Sequence, residues 1–193
     1  MCGRYYIDDE TAKETEKLVR EIDYKLNMRN SGDIRPSQTA AVIRRDGEHL
    51  AGSLMVWGFP RFEGKGMLIN ARSESVLERK TFRKSVEHRR CVIPAKGFYE
   101  WNSRKEKFSY EREDSSVLLM AGCYNRFNDR DCFVILTTEA NPSVSPVHSR
   151  MPLILENDEL ESWLLDDKAV EFILHKTPTL LHSSSEYTQM ELF

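Results

Sequence analysis

The 193-residue chain is 40% apolar and 31% charged, with a formal net charge of −3, a length and composition suited to one sizeable core in a single domain over residues 1–193. No apolar run approaches the ~20 residues that cross a bilayer, and charged residues stand where a secretory leader would be apolar, which argues for a soluble, cytoplasmic protein with no membrane partner. The four cysteines, Cys2, Cys91, Cys123 and Cys132, are widely spaced with no CxxC pair, so no metal site, cofactor or disulfide framework is expected.

In chain order, Arg4–Ile7 reads as a short strand, and Asp8 or Asp9 can cap an amphipathic helix running to about Met28 with Leu18, Ile22 and Leu26 on one stripe. A turn-rich segment around Pro36 leads into a β-hairpin, with strands Thr39–Arg45 and Glu48–Trp57 joined by an Asp46-Gly47 turn. Residues 58–66 form a loop carrying Phe59, Pro60, Arg61 and Phe62, and two short helices fit between Ser73 and His88. From Cys91 onward the chain is mostly strand: CVIPA, GFYEWN, KFSYER, SVLLMAGCY and CFVILTTEA are β-branched or aromatic segments parted by turn residues. Two helices, about Asn157–Leu165 and Lys168–His175, close the pattern. The predicted class is α+β, a curved and mostly antiparallel sheet or open barrel flanked by helices.

The chemistry begins at Cys2. Cysteine is small enough for methionine aminopeptidase to expose it, and removal of Met1 creates a 1,2-aminothiol. An α-amine has a pKa near ~7.7–8.0 and a free thiol near ~8.5, so neutral amine and thiolate coexist at neutral pH. Such a terminus can condense with an aldehyde to an imine, on which the thiol closes to a thiazolidine. Glu100, between Tyr99 and Trp101 at a strand end, is placed for a desolvated carboxyl suited to proton transfer near neutrality. His148 reads as a loop acid/base beside Arg150, and Asn70 as a polar group in an apolar run that can orient a backbone or a substrate oxygen. Charge is uneven along the chain. Between Arg79 and Arg112 eleven Lys and Arg face four Glu, a balance of +7, while Glu156–Phe193 has a balance of −7. A bipolar chain of this kind can carry a cationic groove despite its acidic total.

Taken together, MCGR, the Pro36 loop, WGF at Trp57–Phe59, INAR at 69–72, GFYEW at 97–101 and HSRMPLIL at 148–155 resemble the SRAP, or SOS response-associated peptidase, family, whose members bind single-stranded DNA and crosslink to abasic sites. The resemblance runs from Cys2 to about Trp163. It implies that Cys2 is the nucleophile, that Glu100 shuttles protons, that His148 assists ring opening or imine chemistry, and that Asn70 holds the terminus or the sugar. It also implies that Arg4, Arg72, Lys80 and Arg150 contact the DNA backbone, and that Pro36 with Trp57, Phe59 and Phe62 forms an apolar wedge beside the lesion. Single-stranded DNA with abasic sites, at single-strand/double-strand junctions and near the replication machinery, is the implied partner, in the cytoplasm at damaged nucleoid DNA. Two departures stand out: Lys80 replaces an arginine of better-known members, and Arg61-Phe62 stands where others have two tryptophans.

Two other readings compete. One is a thiol peptidase using Cys2 with His148, acting on Met1 itself; the other is a non-covalent single-strand binding module.

Overall fold

The computed structural model describes residues 2–18, 31–62 and 64–185. Two β-layers and two clusters of buried side chains organise the fold. Five strands pair in a ring: β3 (Thr39–Asp46) with β4 (His49–Trp57), β4 with β12 (Arg130–Glu139), β12 with β11 (Leu118–Phe127), β11 with β8 (Arg90–Ala95), and β8 back to β3. The expected open barrel is thus closed, which leaves those five strands no free edge. Where both faces are covered, as in β8, the first half of β11 and the middle of β12, the sequence is a near-continuous apolar run. Residues of one parity, such as Ile43, Val92, Ala121 and Val134, join Leu160 and Trp163 of α3 (Glu159–Leu165) and Ile173 of α4 (Val170–Leu174). Those of the other parity, such as Val42, Ile93, Met120 and Ile135, join Tyr5, Phe98 and Tyr110.

These three aromatics belong to a second, antiparallel sheet in the order β15 (His182–Ser185), β10 (Lys107–Glu111), β9 (Gly97–Trp101), β1 (Tyr5–Ile7) and β2 (Gly32–Ile34). The chain passes between the sheets at Lys96, so the single stretch from Arg90 to Trp101 contributes β8 to the ring and β9 to the second sheet. Gly97 makes the join possible. A Cβ there would lie 2.4 Å from the Tyr110 carbonyl oxygen and 2.6 Å from the Tyr6 hydroxyl, because the Tyr6 ring reaches past Gly97 to donate a 2.5 Å hydrogen bond to Glu111 on β10.

Most predicted elements are present with shifted ends. The hairpin of β3 and β4 pairs Asp46 with His49, so its two loop residues are Gly47 and Glu48, one position later than expected, with Gly47 at φ +64°. The 58–66 loop is partly structured: β5 (Phe59–Pro60) pairs with β6 (Met67–Leu68). Helix α1 is described over Asp9–Leu18, capped by Asp8 through Thr11. Its expected continuation through Ile22 and Leu26 lies outside the described residues. Between Ser73 and His88 there is a 3₁₀ turn at Ser73–Ser75 and then α2 (Arg83–His88). The strand β15 was not among the predicted elements.

The basic centre does not make one continuous groove. Arg90 is buried and donates to the carbonyls of Trp163, Val86 and Glu87 and to Asp167, tying α2 and α3 to β8. Arg112 is consumed by Asp114 and Glu156. Arg79, Lys80, Arg83 and Lys84 are exposed around α2, whereas Arg104 and Lys105 stand on the turn between β9 and β10. Folding separates charges that are neighbours in sequence.

Replacing Gly97 with alanine is expected to destabilise the protein by about 1–3 kcal/mol through overpacking against a backbone oxygen. Chemical denaturation should register this as a lower midpoint with unchanged slope.

Candidate functional site

Cys2 precedes β1, whose strand is paired on both sides, Tyr5 with Ile34 of β2 and with Phe98 of β9. The cysteine is fully buried, and its thiol points back to the Arg4 carbonyl at 3.7 Å. Burial, and after it the charge of Glu100, pushes the Cys2 thiol well up from its ordinary value. This corrects the expectation of a usable fraction of thiolate at neutral pH, because taking the sulfur out of water disfavours its charged form.

Asn70 stands in β7 (Asn70–Arg72), which pairs in parallel with β12 opposite Ile135. Its Nδ2 donates a 2.9 Å hydrogen bond to the Cys2 carbonyl. The neighbouring Ile69 carbonyl accepts from the Trp57 indole at 2.9 Å and from the Ile135 amide at 3.2 Å. The asparagine that fixes the amino-terminal segment is therefore itself fixed to the ring of strands.

Glu100 faces inward from β9, 3% exposed. Burial raises its carboxyl above the ordinary range, opposed by the positive charge of the amino terminus, by His148 and by hydrogen bonding to that terminus and the Trp101 backbone. A carboxyl poised between these influences suits a group that must both hold and release a proton.

His148 ends a series of tight turns beginning at Asn141, whose carbonyl accepts from Val144 and Ser145. The imidazole Nδ1 lies 3.0 Å from the Arg150 amide nitrogen and 3.1 Å from the Arg150 carbonyl oxygen, so the backbone of Arg150 fixes the ring. Sequence reasoning missed the residue that builds this loop. Asn141, 3% exposed, accepts from Ser143 and donates to the carbonyls of Pro178 and Thr179. The Asn141-Pro142 pair was the available signal, since such pairs initiate turns.

The structure thus gathers Cys2, Asn70, Glu100 and His148 from four distant parts of the chain. The residues expected at DNA are placed less uniformly. Arg4 lies 5.2 Å over the Trp101 ring and 3.5 Å from Asp33, at the rim beside Cys2. Arg72 and Lys80 are exposed, and Pro36 is half-buried in a turn held by the Ser37 amide donating to the Trp57 carbonyl and the Trp57 amide donating to the Gln38 carbonyl. Arg150 is engaged: Glu74 takes both terminal nitrogens at 2.7 and 2.8 Å, and the Thr137 carbonyl accepts as well. Trp57 and Phe59 require a correction. Both are 0% exposed, Trp57 packed between Tyr5 and Phe133 and Phe59 between Phe82 and Phe127. Neither can stack on a strand without unpacking the core, so of the expected wedge only Pro60–Phe62 stands outward, with Phe62 87% exposed. Among the described residues no group of His, Cys, Asp or Glu could hold a metal ion, and no helix is long and apolar enough to cross a membrane.

Fold and site together define an α+β protein whose candidate reactive groups gather at its own amino terminus. The chain belongs to the SOS response associated peptidase (SRAP) family, whose model matches residues 1–191. It is 31% identical over 181 residues to the abasic site processing protein YoqW of Bacillus subtilis, covering 85% of this chain and 80% of the relative. It is also 27% identical over 176 residues to the abasic site processing protein YedK of Escherichia coli, covering 85% and 79%. A solved protein from Bacteroides thetaiotaomicron shares the fold with a TM-score of 0.81 at 22% identity, over 95% of this chain and 91% of that one.

Replacing Glu100 with glutamine should stabilise the fold at neutral pH. The folded state holds the carboxyl proton more tightly than the unfolded chain, so stability falls as pH rises from the ordinary glutamate range through the raised folded value. Thermal unfolding is expected to show the variant gaining roughly 2–4 °C per kcal/mol above that range, with no gain below it.

Proposed function

We propose that this protein recognises abasic sites in single-stranded DNA and joins to them covalently through Cys2 once Met1 has been removed. The observation that carries the reading is the tether on Cys2, whose backbone Asn70 holds at 2.9 Å. Glu100 and His148 supply proton transfer at the same place. Reactions of this kind depend chiefly on positioning, with acid/base help. The names of the relatives YoqW and YedK support abasic DNA as the substrate.

The steps balance without a cofactor. The neutral Cys2 amine adds to the aldehyde of the ring-opened sugar; Glu100 passes a proton to the departing hydroxyl and takes one back from the nitrogen, so that neutral imine forms and water leaves. The thiol sulfur then bonds to the imine carbon while its proton moves to the nitrogen, closing the five-membered thiazolidine. A thiol held protonated by burial is compatible with this order, since the sulfur is needed only after the imine exists. The same thiol is poorly suited to a peptidase, which requires a lowered cysteine pKa. Arg4 at the rim and the exposed Arg72 and Lys80 provide cations for flanking phosphates, and Phe62 an apolar surface for bases.

Intact mass spectrometry of tag-free protein, before and after incubation with a single-stranded oligonucleotide carrying one abasic site, tests this directly. Loss of Met1 and a stable protein-plus-DNA mass are expected with the wild type. Cys2→Ala should leave no stable adduct, and Cys2→Ser only one trapped by borohydride. Full crosslinking by Cys2→Ala would refute the aminothiol mechanism. Any residue added ahead of Cys2 that persists in the purified protein is expected to abolish the adduct, because the amine is then an amide.

A further inference from the structure

Three polar atoms around the site are buried without a hydrogen-bond partner among the described residues: the hydroxyls of Tyr5 and Tyr110 and the Oδ1 of Asn70. A buried hydroxyl left unpaired is a standing cost to the fold and calls for an explanation. Tyr110 is the more telling of the two phenols. It is 0% exposed, and its ring stacks on Phe98 with centroids 5.1 Å apart. The register of β9 and β10 sets Tyr110 opposite Phe98 and Phe108 opposite Glu100. Alternation along each strand then puts Phe98, Glu100 and Tyr110 on the same inward face, with Tyr110 diagonal to Glu100. Diagonal neighbours of this kind stand about 7–8 Å apart at the backbone, within reach of an aromatic side chain.

We propose that Tyr110 is a positioning residue acting through Glu100: its hydroxyl donates to the carboxylate once Glu100 has released its proton, directly or through one bridging water. The hydroxyl is idle while Glu100 is protonated and engaged when Glu100 is ionised. Tyr110 thereby eases the return of Glu100 to the charged form within an apolar wall, which a residue that both gives and takes a proton must do in each reaction cycle. Burial, and then the Glu100 charge, push the phenol up to about 12, so it remains a donor over the range in which the carboxyl titrates. The other titrating or charged groups that act on Glu100 are the amino terminus and the Cys2 thiol ahead of β1, and His148 from the loop before β13 (Arg150–Pro152). The assignment rests on the acid/base role of Glu100 proposed above.

Tyr110→Phe tests it with little risk to folding, because the variant keeps the stacked ring and deletes only a hydroxyl that has no partner. Losing a donor to the carboxylate disfavours its ionised form and raises its pKa. Carbon-13 NMR of the Glu100 carboxyl should therefore find its midpoint moved to higher pH by about half a unit or more. The acid limb of the crosslinking rate should move by the same amount, with the rate on that limb lowered about threefold; thermal stability should equal or exceed wild type below the Glu100 midpoint, where the hydroxyl is unpartnered, and fall below it above the midpoint, where a donor to the carboxylate has been lost. Ser85→Ala deletes another buried, unpartnered hydroxyl, in α2, and should move neither readout. An unshifted Glu100 midpoint in Tyr110→Phe, a shift accompanied by stability lost below the Glu100 midpoint, or an equal shift in Ser85→Ala would each overturn the proposal. A shifted midpoint in a protein that never crosslinks supports the coupling and overturns only the crosslinking function.

Discussion

Chain termini usually fray, because nothing offsets the entropy of ordering them. Here the first residues run between two partners, and the constraint begins with backbone hydrogen bonds. The Lys96 amide donates to the Tyr6 carbonyl at 2.8 Å and the Tyr99 amide to the Arg4 carbonyl at 3.0 Å, so β1 is bound to the strand that carries Glu100. The bond from Asn70 to the Cys2 carbonyl extends that order to the reactive residue. Without it, the backbone of Cys2 would sample many orientations, and the positioning that the proposed imine chemistry requires would be lost. Tyr5 completes the anchorage, packing its ring 5.3 Å from Trp57 in the core.

The stretch from Arg90 to Trp101 couples this terminus to the rest of the molecule. Its first half is fully buried in the ring of strands and its second half pairs with β1 and β10. Glu100 is therefore held by a continuous backbone rooted in the most buried part of the protein. That rigidity allows a carboxyl to be kept in an environment that disfavours its charge. The fold tolerates the cost because both sides of the ring are filled with apolar side chains. Polar groups without partners gather beside Cys2 and Glu100, a pattern in keeping with sites that trade stability for chemistry.

Much of the architecture was legible in local pattern. Alternation and turn residues located the first hairpin, β-branched runs the later strands, and terminal apolar stripes the last helices. The miss at Gly47–Glu48 is a one-residue turn shift, and β15 escaped because His182–Ser185 has no apolar face to announce a strand; it exists through its pairing with β10. Of the candidate site, Asn70 and Glu100 stood out as polar groups in apolar sequence, Cys2 as the residue after Met1 and His148 as a loop residue beside Arg150, whereas their proximity to one another was not legible. Trp57 and Phe59 were misplaced because an aromatic in a loop-like segment has the same local sequence whether it points in or out.

What the sequence by itself determined is which residues alternate, where turns fall, and that an aminothiol can be exposed at the amino terminus, all properties of neighbours along the chain. Only the tertiary structure decided that Asn70 reaches Cys2 across 68 positions, that the Cys2 thiol is buried where its charged form is disfavoured, that Arg90 and Arg112 are structural while Arg104 and Lys105 face solvent, and that Tyr110 lies diagonal to Glu100. Such facts depend on burial and on pairing between distant segments. Solvation, and with it the charge state and availability of a side chain, is set by what the rest of the chain packs around it.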